Sequence, residues 1–291
     1  MFDSIYRPGL LDGQVVLVTG GGTGIGRCSA HEVAALGATA VVAGRREEPL
    51  RATVAEIAEA GGQADWCPLD IRDEAAVEAA VGGVVERHGR LDGLVNNAGG
   101  QFPAPAEAIS PNGWRSVIDL NLNGTFLVTR AAFRAWMGEH GGAIVSIAAD
   151  MWNGFAFMSH TGAARAGVVN LTKTLAVEWA GRGVRVNAVA PGTIYSSGMD
   201  SYDEDVQRLA ADNARKVPAG RVGTESEVSA AVVYLLSPAA AFTTGATLRV
   251  DGGSSLLKEP VLPLGAGAST GAFDGFHLAR EVPPAWSGEA G

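Results

Sequence analysis

Seven short apolar runs recur along the chain, most of them separated by stretches of helical spacing, and this alternation limits the fold more than any other feature. Gln14–Thr19 (QVVLVT) and Ala38–Ala43 (ATAVVA) are too short for helices and have no polar face. A strand of that kind must be covered on both sides. Gln63–Leu69, Leu91–Asn96, Ala143–Ala148, Val184–Ala190 and Thr247–Val250 read as further strands. Helices are predicted over Arg27–Leu36, Glu47–Ala60, Glu74–His88, Asn112–Met137, Gly162–Ala180 and Ser226–Leu236. Strands alternating with helices build a parallel sheet with helices on both faces. The expected fold class is therefore α/β, a doubly wound parallel sheet in one domain over residues 1–255. Beyond it, residues 256–291 form a proline- and glycine-containing extension with Phe273, Phe276 and Trp286 as anchors, expected to dock on a neighbouring subunit.

The first strand runs directly into Thr19-Gly20-Gly21-Gly22-Thr23-Gly24-Ile25-Gly26, after which the first helix begins. Glycines at such a turn let the backbone approach a pyrophosphate, and the helix start offers it free N–H groups. A glycine cluster alone is weak evidence; one between a strand and a helix is far stronger. Gly20, Gly22, Thr23, Gly24, Ile25 and Gly26 are thus candidate dinucleotide-binding residues. The second strand ends Ala43-Gly44-Arg45-Arg46, where an NAD enzyme would carry an acid for the ribose 2′-hydroxyl. Two guanidinium groups suit a 2′-phosphate instead, so NADP(H) is expected over NAD. Asp70, followed by Ile71, comes after the third strand. It is placed to accept from an adenine amine or to cap the next helix.

Net charge is −9, which argues against nucleic acid and anionic membranes as partners. No apolar run is long enough to span a bilayer, and the first residues lack a secretory pattern. Cys28 and Cys67 give neither a disulfide framework nor a metal-ligand spacing, so no metal is expected and a reducing cytoplasm suits the chain.

Together these segments resemble the short-chain dehydrogenase/reductase family. The match lies in TGGGTGIG, Asn96-Asn97-Ala98-Gly99, Asp119–Phe126 (DLNLNGTF), Pro191-Gly192-Thr193 and Val250-Asp251-Gly252-Gly253, and covers about residues 10–255. The resemblance implies a homo-oligomeric (dimeric or tetrameric) Rossmann-fold oxidoreductase. It implies that Asn97, Ala98 and Gly99 line the adenosine ribose, and that Pro191, Gly192, Thr193 and Ile194 hold the nicotinamide carboxamide. It also implies that Asn121 organises a catalytic water or proton path. Gly99–Phe102, Trp136–Gly142, His160–Gly167 and Pro191–Ser197 are similar to one branch of the family. That branch holds peroxisomal trans-2-enoyl-CoA reductases, bacterial citronellol or citronellal dehydrogenases and, more distantly, 2,4-dienoyl-CoA reductases.

The catalytic centre departs from the family pattern. Ala149 stands at the usual serine position, and aligning Arg165-Ala166-Gly167 on Lys-Ala-Gly puts Thr161 at the usual tyrosine position. Thr161 and Arg165 still share a helix face, being four residues apart. By the resemblance, Arg165 takes the lysine's place at the nicotinamide ribose. Ketone reduction puts charge on oxygen and needs an acid of matched pKa, which threonine is not. Conjugate reduction leaves an enolate that hydrogen-bond donors can stabilise while water protonates carbon. Thr161, Arg165 and Asn121 therefore fit reduction of an enoyl thioester better than of a carbonyl, with acyl-CoA as the expected small-molecule partner. Oxidation of a terpenoid alcohol and a catalytically degenerate cofactor-binding protein are the competing readings. Tyr195, after the Pro-Gly turn, is a reserve proton donor or a packing residue. Asp150, at a strand's end, is a proton-transfer group or a structural acceptor. His160 adjoins Thr161 but is expected to point elsewhere. The polar stretch Ser196–Lys216 reads as a substrate lid.

Overall fold

The computed structural model describes residues 1–197, 208, 217–256, 270–283 and 286. Its sheet has seven parallel strands: β1 (Val15–Thr19), β2 (Thr39–Gly44), β3 (Gln63–Pro68), β4 (Gly93–Asn96), β5 (Gly142–Ile147), β6 (Val184–Pro191) and β7 (Thr247–Val250). Their spatial order is β3-β2-β1-β4-β5-β6-β7, so the direction of winding reverses between β1 and β4. Ligands of such sheets bind beyond the carboxyl ends of the strands at that reversal. The glycine turn leaves β1 and Asn97 leaves β4, which puts both at this place.

The helices are α1 (Gly24–Ala35), α2 (Glu47–Glu59), α3 (Glu74–His88), α4 (Pro111–Ile118), α5 (Gly124–Ala132), α6 (Gly138–His140), α7 (Ser159–Trp179) and α8 (Glu225–Leu236). Alternate residues of the strands feed two separate cores. Val16, Val18, Ala40 and Val42 pack with Val33 of α1 and Val232 of α8. Val15, Leu17, Val41 and Ala43 pack with Val81 of α3 and Val128 of α5 on the other face. Each such buried Val or Leu contributes about 1.5–3 kcal/mol relative to exposure. The helix expected over Asn112–Met137 is continuous in direction but interrupted by π turns at Asp119–Asn123 and Phe133–Met137. The first of these carries Asn121. Asp73, not Asp70, caps α3, its carboxylate accepting from the Ala76 N–H.

The described part of the extension packs on its own chain. Phe276 lies against Phe2 and Cys28, and the Asp3 N–H donates to the Gly275 carbonyl at 2.8 Å. Trp286 packs on Val222 and Tyr195. Of the expected lid, only Ser196, Ser197 and Arg208 fall within the described residues.

Candidate active site

The glycine turn is shaped by close approach. Gly20 takes a left-handed φ of +66°, and a Cβ there would come 2.8 Å from Asn97 Nδ2. A Cβ on Gly26 would collide with the Gly20 carbonyl. Asn97 Nδ2 donates to the carbonyls of Thr19 and Gly20, both at 3.1 Å, so it staples the turn from β4. Thr23 precedes α1 in an extended conformation without a side-chain cap, and the first turn holds no acid, which leaves its N–H groups for an anion. Gly22 lies against Pro49, the start of α2. Arg45 and Arg46 are exposed at the end of β2. Asp70 forms a forked ion pair with Arg72, which holds its carboxyl down at about 2, with Arg45 adding to the effect. These residues fit a dinucleotide: side chains are excluded where a phosphate must approach, and cations stand at the far end.

Across the reversal, α7 begins three residues earlier than its periodicity suggests, so His160 and Thr161 sit in its first turn. Arg165, one turn on, is buried, and its Nη1 donates to the Ile147 carbonyl at 2.6 Å. Burial, with no acidic side chain offsetting it among the described residues, lowers this guanidinium to about 10, so it stays charged at neutral pH. A Cβ on Gly99 would collide with Arg165 Nη2 and lie 2.7 Å from Asn121 Oδ1. Gly99, Arg165 and Asn121 therefore meet at one point. Asn121 is fully buried and pairs with Gly100 both ways: Nδ2 donates to its carbonyl at 2.8 Å and Oδ1 accepts from its N–H at 3.3 Å. Its amide also donates to the Val117 carbonyl, one of the groups a π turn rearranges.

Thr161 is completely covered, with Oγ1 3.2 Å from His160 Nδ1. The Thr161 N–H donates to the same nitrogen at 2.8 Å. An accepting Nδ1 puts the imidazole proton on Nε2; burial lowers the pKa of the ring, against a backbone hydrogen bond with Met158 that acts to raise it. That Nε2 is a buried donor without a hydrogen-bond partner among the described residues. Phe102, half-exposed, meets the His160 ring edge-on at 4.6 Å and forms the outer cover. Ala104 N–H donates to the carbonyl of Phe157, which has a left-handed φ of +61°. The sequence turns His160 away from Thr161 as its helix neighbour, yet both side chains are fully buried in the first turn of α7, while Ala163 on the same turn is exposed.

The other expected residues sit at the rim. Asp150 accepts from the Ser254 hydroxyl at 2.7 Å and its N–H donates to the Pro191 carbonyl, a bracing arrangement at the mouth of β5 and β6. Tyr195 stacks obliquely on Trp286, ring centres 5.5 Å apart. Thr193 and Ile194 run beside Gly223, through an Ile194–Gly223 bridge. Gly192 packs against Asp251 of the closing Asp-Gly-Gly turn. Ile71 packs on Gly124 beneath the turn that holds Asp70. Ala98 contributes its N–H to Thr19 Oγ1.

A family profile described as enoyl-(acyl carrier protein) reductase matches residues 20–255. The chain is 40% identical over 253 residues to a probable 2,4-dienoyl-CoA reductase of Bacillus subtilis (strain 168), covering 86% of this chain and all of that one. It is 50% identical to a solved citronellol catabolism dehydrogenase of Pseudomonas aeruginosa PAO1, with a TM-score of 0.79 over 87% of this chain and 100% of the other. A third likeness is to a putative NAD(P)-dependent gluconate 5-dehydrogenase of Beutenbergia cavernae solved with bound NADP. It is 38% identical, with a TM-score of 0.79 over 85% of this chain and 98% of that one.

Proposed function

Because the chain belongs to the short-chain dehydrogenase/reductase family, we propose that it reduces the activated C=C bond of an enoyl-CoA thioester with NADPH. Family membership makes it an oxidoreductase that uses a nicotinamide cofactor on a small molecule. The observation that carries the finer reading is the enclosed Arg165 guanidinium, a positive charge with no acid offsetting it among the described residues, which lies with Asn121 against Gly99 where Thr161 stands at the family's tyrosine position. Such a site stabilises a developing anion without supplying a strong acid. The cofactor, when bound, supplies the hydride that conjugate reduction adds at the β-carbon. Arg165 then holds the nicotinamide ribose and adds positive potential near the thioester oxygen. Thr161 and the His160 Nε2–H stand as hydrogen-bond donors to that oxygen or to a water, reached when the Phe102 cover moves. Asn121 orders the water path, with Tyr195 as reserve donor and Asp150 as the next candidate for proton transfer. Arg45 and Arg46 select the 2′-phosphate.

A second reading is oxidation of a terpenoid alcohol, favoured by the 50% identity to the citronellol catabolism dehydrogenase. NADPH oxidation measured side by side with an enoyl-CoA and a terpenoid aldehyde separates the two. Turnover of the enoyl-CoA, cut well beyond tenfold by Thr161→Val or Arg165→Met, is the expected result, since one oxyanion donor commonly accounts for about a hundredfold to a thousandfold. Turnover of the aldehyde alone overturns the first reading, and loss of neither variant's activity moves the centre to Asp150. The reading includes a cytoplasmic dimer or tetramer, with residues 1–255 as the enzyme body. The described residues of the extension pack on their own chain through Phe276 and Trp286, so contact with a neighbouring subunit falls to their exposed neighbours. Light scattering that gave a monomer at every concentration would remove the oligomer.

A further inference from the structure

Residues 270–283 lie beyond the end of the family match at residue 255, yet they bind the part of the molecule that faces the cofactor turn. Their contacts converge on the first turn of α8. Thr224 Oγ1 donates to the Phe273 carbonyl at 2.6 Å, the Phe276 N–H donates to Ser226 Oγ at 3.1 Å, and Arg221 Nε donates to the Thr270 carbonyl at 3.0 Å. Arg27 of α1 lies over the Phe276 ring at 5.2 Å. Between Thr224 and Ser226 sits Glu225, whose Oε1 is 3.7 Å from where a Cβ on Gly24 would be. Ser196 and Ser197 hydroxyls stand at 3.8 Å from the same point, so the loop bearing Tyr195 runs alongside the glycine turn as well.

A carboxylate beside a pyrophosphate site works against the ligand, because like charges repel. Among the described residues, Arg27 from α1, Arg280 and Asp274 from the extension, and the Ser197 backbone from the loop after β6 act on Glu225. Burial is the largest influence on this carboxyl and raises it to about 7; Arg27, Arg280 and Ser197 favour its ionised form and Asp274 opposes it. We propose that the extension is a cofactor-positioning strap, which fixes the start of α8 and the Tyr195 loop against the glycine turn and brings Arg280 to offset the Glu225 charge beside the dinucleotide pyrophosphate. The inference rests on the dinucleotide site and is independent of which substrate is reduced.

Coupling of this kind is reciprocal, so cofactor binding must tighten the strap as the strap tightens cofactor binding. In the full chain at pH 8, calorimetric titration with NADPH should show Arg280→Ala raising Kd by about fivefold, the size of one modest charge interaction. In a Glu225→Gln background the same Arg280→Ala change should leave Kd unaltered, because the charge it offsets is gone. An equal weakening in both backgrounds, or none in either, overturns the charge argument. Hydrogen exchange on the unaltered protein supplies the second readout and needs no variant to fold. Saturating NADPH should slow exchange at the Phe273 and Phe276 amides, and unchanged exchange there overturns the strap itself.

Discussion

A methyl group added at Gly99 would press on Arg165 Nη2 and Asn121 Oδ1 together. The guanidinium is the yielding end of a long side chain, but its bond to the Ile147 carbonyl leaves it little room. Gly99→Ala should therefore displace the charge while leaving the fold intact. Misplacing a catalytic group by 1 Å can cost about a hundredfold. The expected outcome is a turnover loss of about that size with circular dichroism unchanged, and full activity would show that the guanidinium does not act where it sits. At the other end of the site, Arg45 and Arg46 are exposed at the end of β2, Arg46 preceding α2 without a side-chain cap bond. Replacing both by Ala should weaken NADPH binding by about tenfold to a hundredfold, since hydrogen bonds to charged groups contribute about 1.5–3 kcal/mol. NADH affinity should stay the same; equal losses for the two cofactors would end the assignment. That Thr161 and Arg165 lie one turn apart on α7 could be read from their spacing of four. That His160 turns its Nδ1 to the Thr161 N–H could not, because it depends on how loops enclose the helix start.

Among the elements, α8 shows how a short sequence signal is reused. Thr224 and Glu227 form a reciprocal cap at its start, a pattern visible in Thr-x-x-Glu. The same Thr224 hydroxyl also donates to the extension. Thr224→Ala should lower stability by about 1 kcal/mol for the cap alone, and more with the Phe273 bond lost. For a domain of this size each kcal/mol moves the melting temperature by about 2–4 °C. Thr224→Ser should restore the melt, and a melt unmoved by Thr224→Ala would show that neither bond contributes. The strands were legible because a fully buried strand leaves an unbroken apolar run, and β1, β2 and β6 begin or end within a residue of their expected limits. The π turns around Asn121 and Phe133 were not, since an extra residue in a helical turn leaves no change in composition. Nor was the left-handed Phe157, which is held by the carbonyl it offers to Ala104 rather than by its own preference.

For the whole molecule, pH acts through buried groups on α1. Burial, the largest influence, lowers His31 to about 4 despite its contact with Glu56. Its ordinary value in the unfolded chain is about 6.5, so between the two values the unfolded state holds more protons. His31 should then contribute stability that rises with pH across that window and is lost as pH drops towards 4, while Glu32, raised by burial to about 6, and Glu225 of α8, raised to about 7, act in the opposite direction. Melting curves from pH 4 to 7 should show the stability difference between the protein and its His31→Gln variant growing with pH across the window; a difference that does not change with pH would remove His31 from the pH dependence. The overall architecture could be foreseen from the alternation of strands and helices. The anchors of the extension could be named too, but not their seats, because a long-range contact such as Phe276 on Phe2 has no local periodicity. That contact also imposes an order on synthesis. Phe2 and Cys28 leave the ribosome early, and both are covered in the finished fold with the help of Phe276. Until residue 276 follows, a nascent or arrested chain presents an uncovered phenylalanine next to a thiol. The contact of Phe276 with Phe2 and Cys28 is thus a tally of translation: thiol labelling at Cys28 should distinguish chains that have reached residue 276 from those that have not.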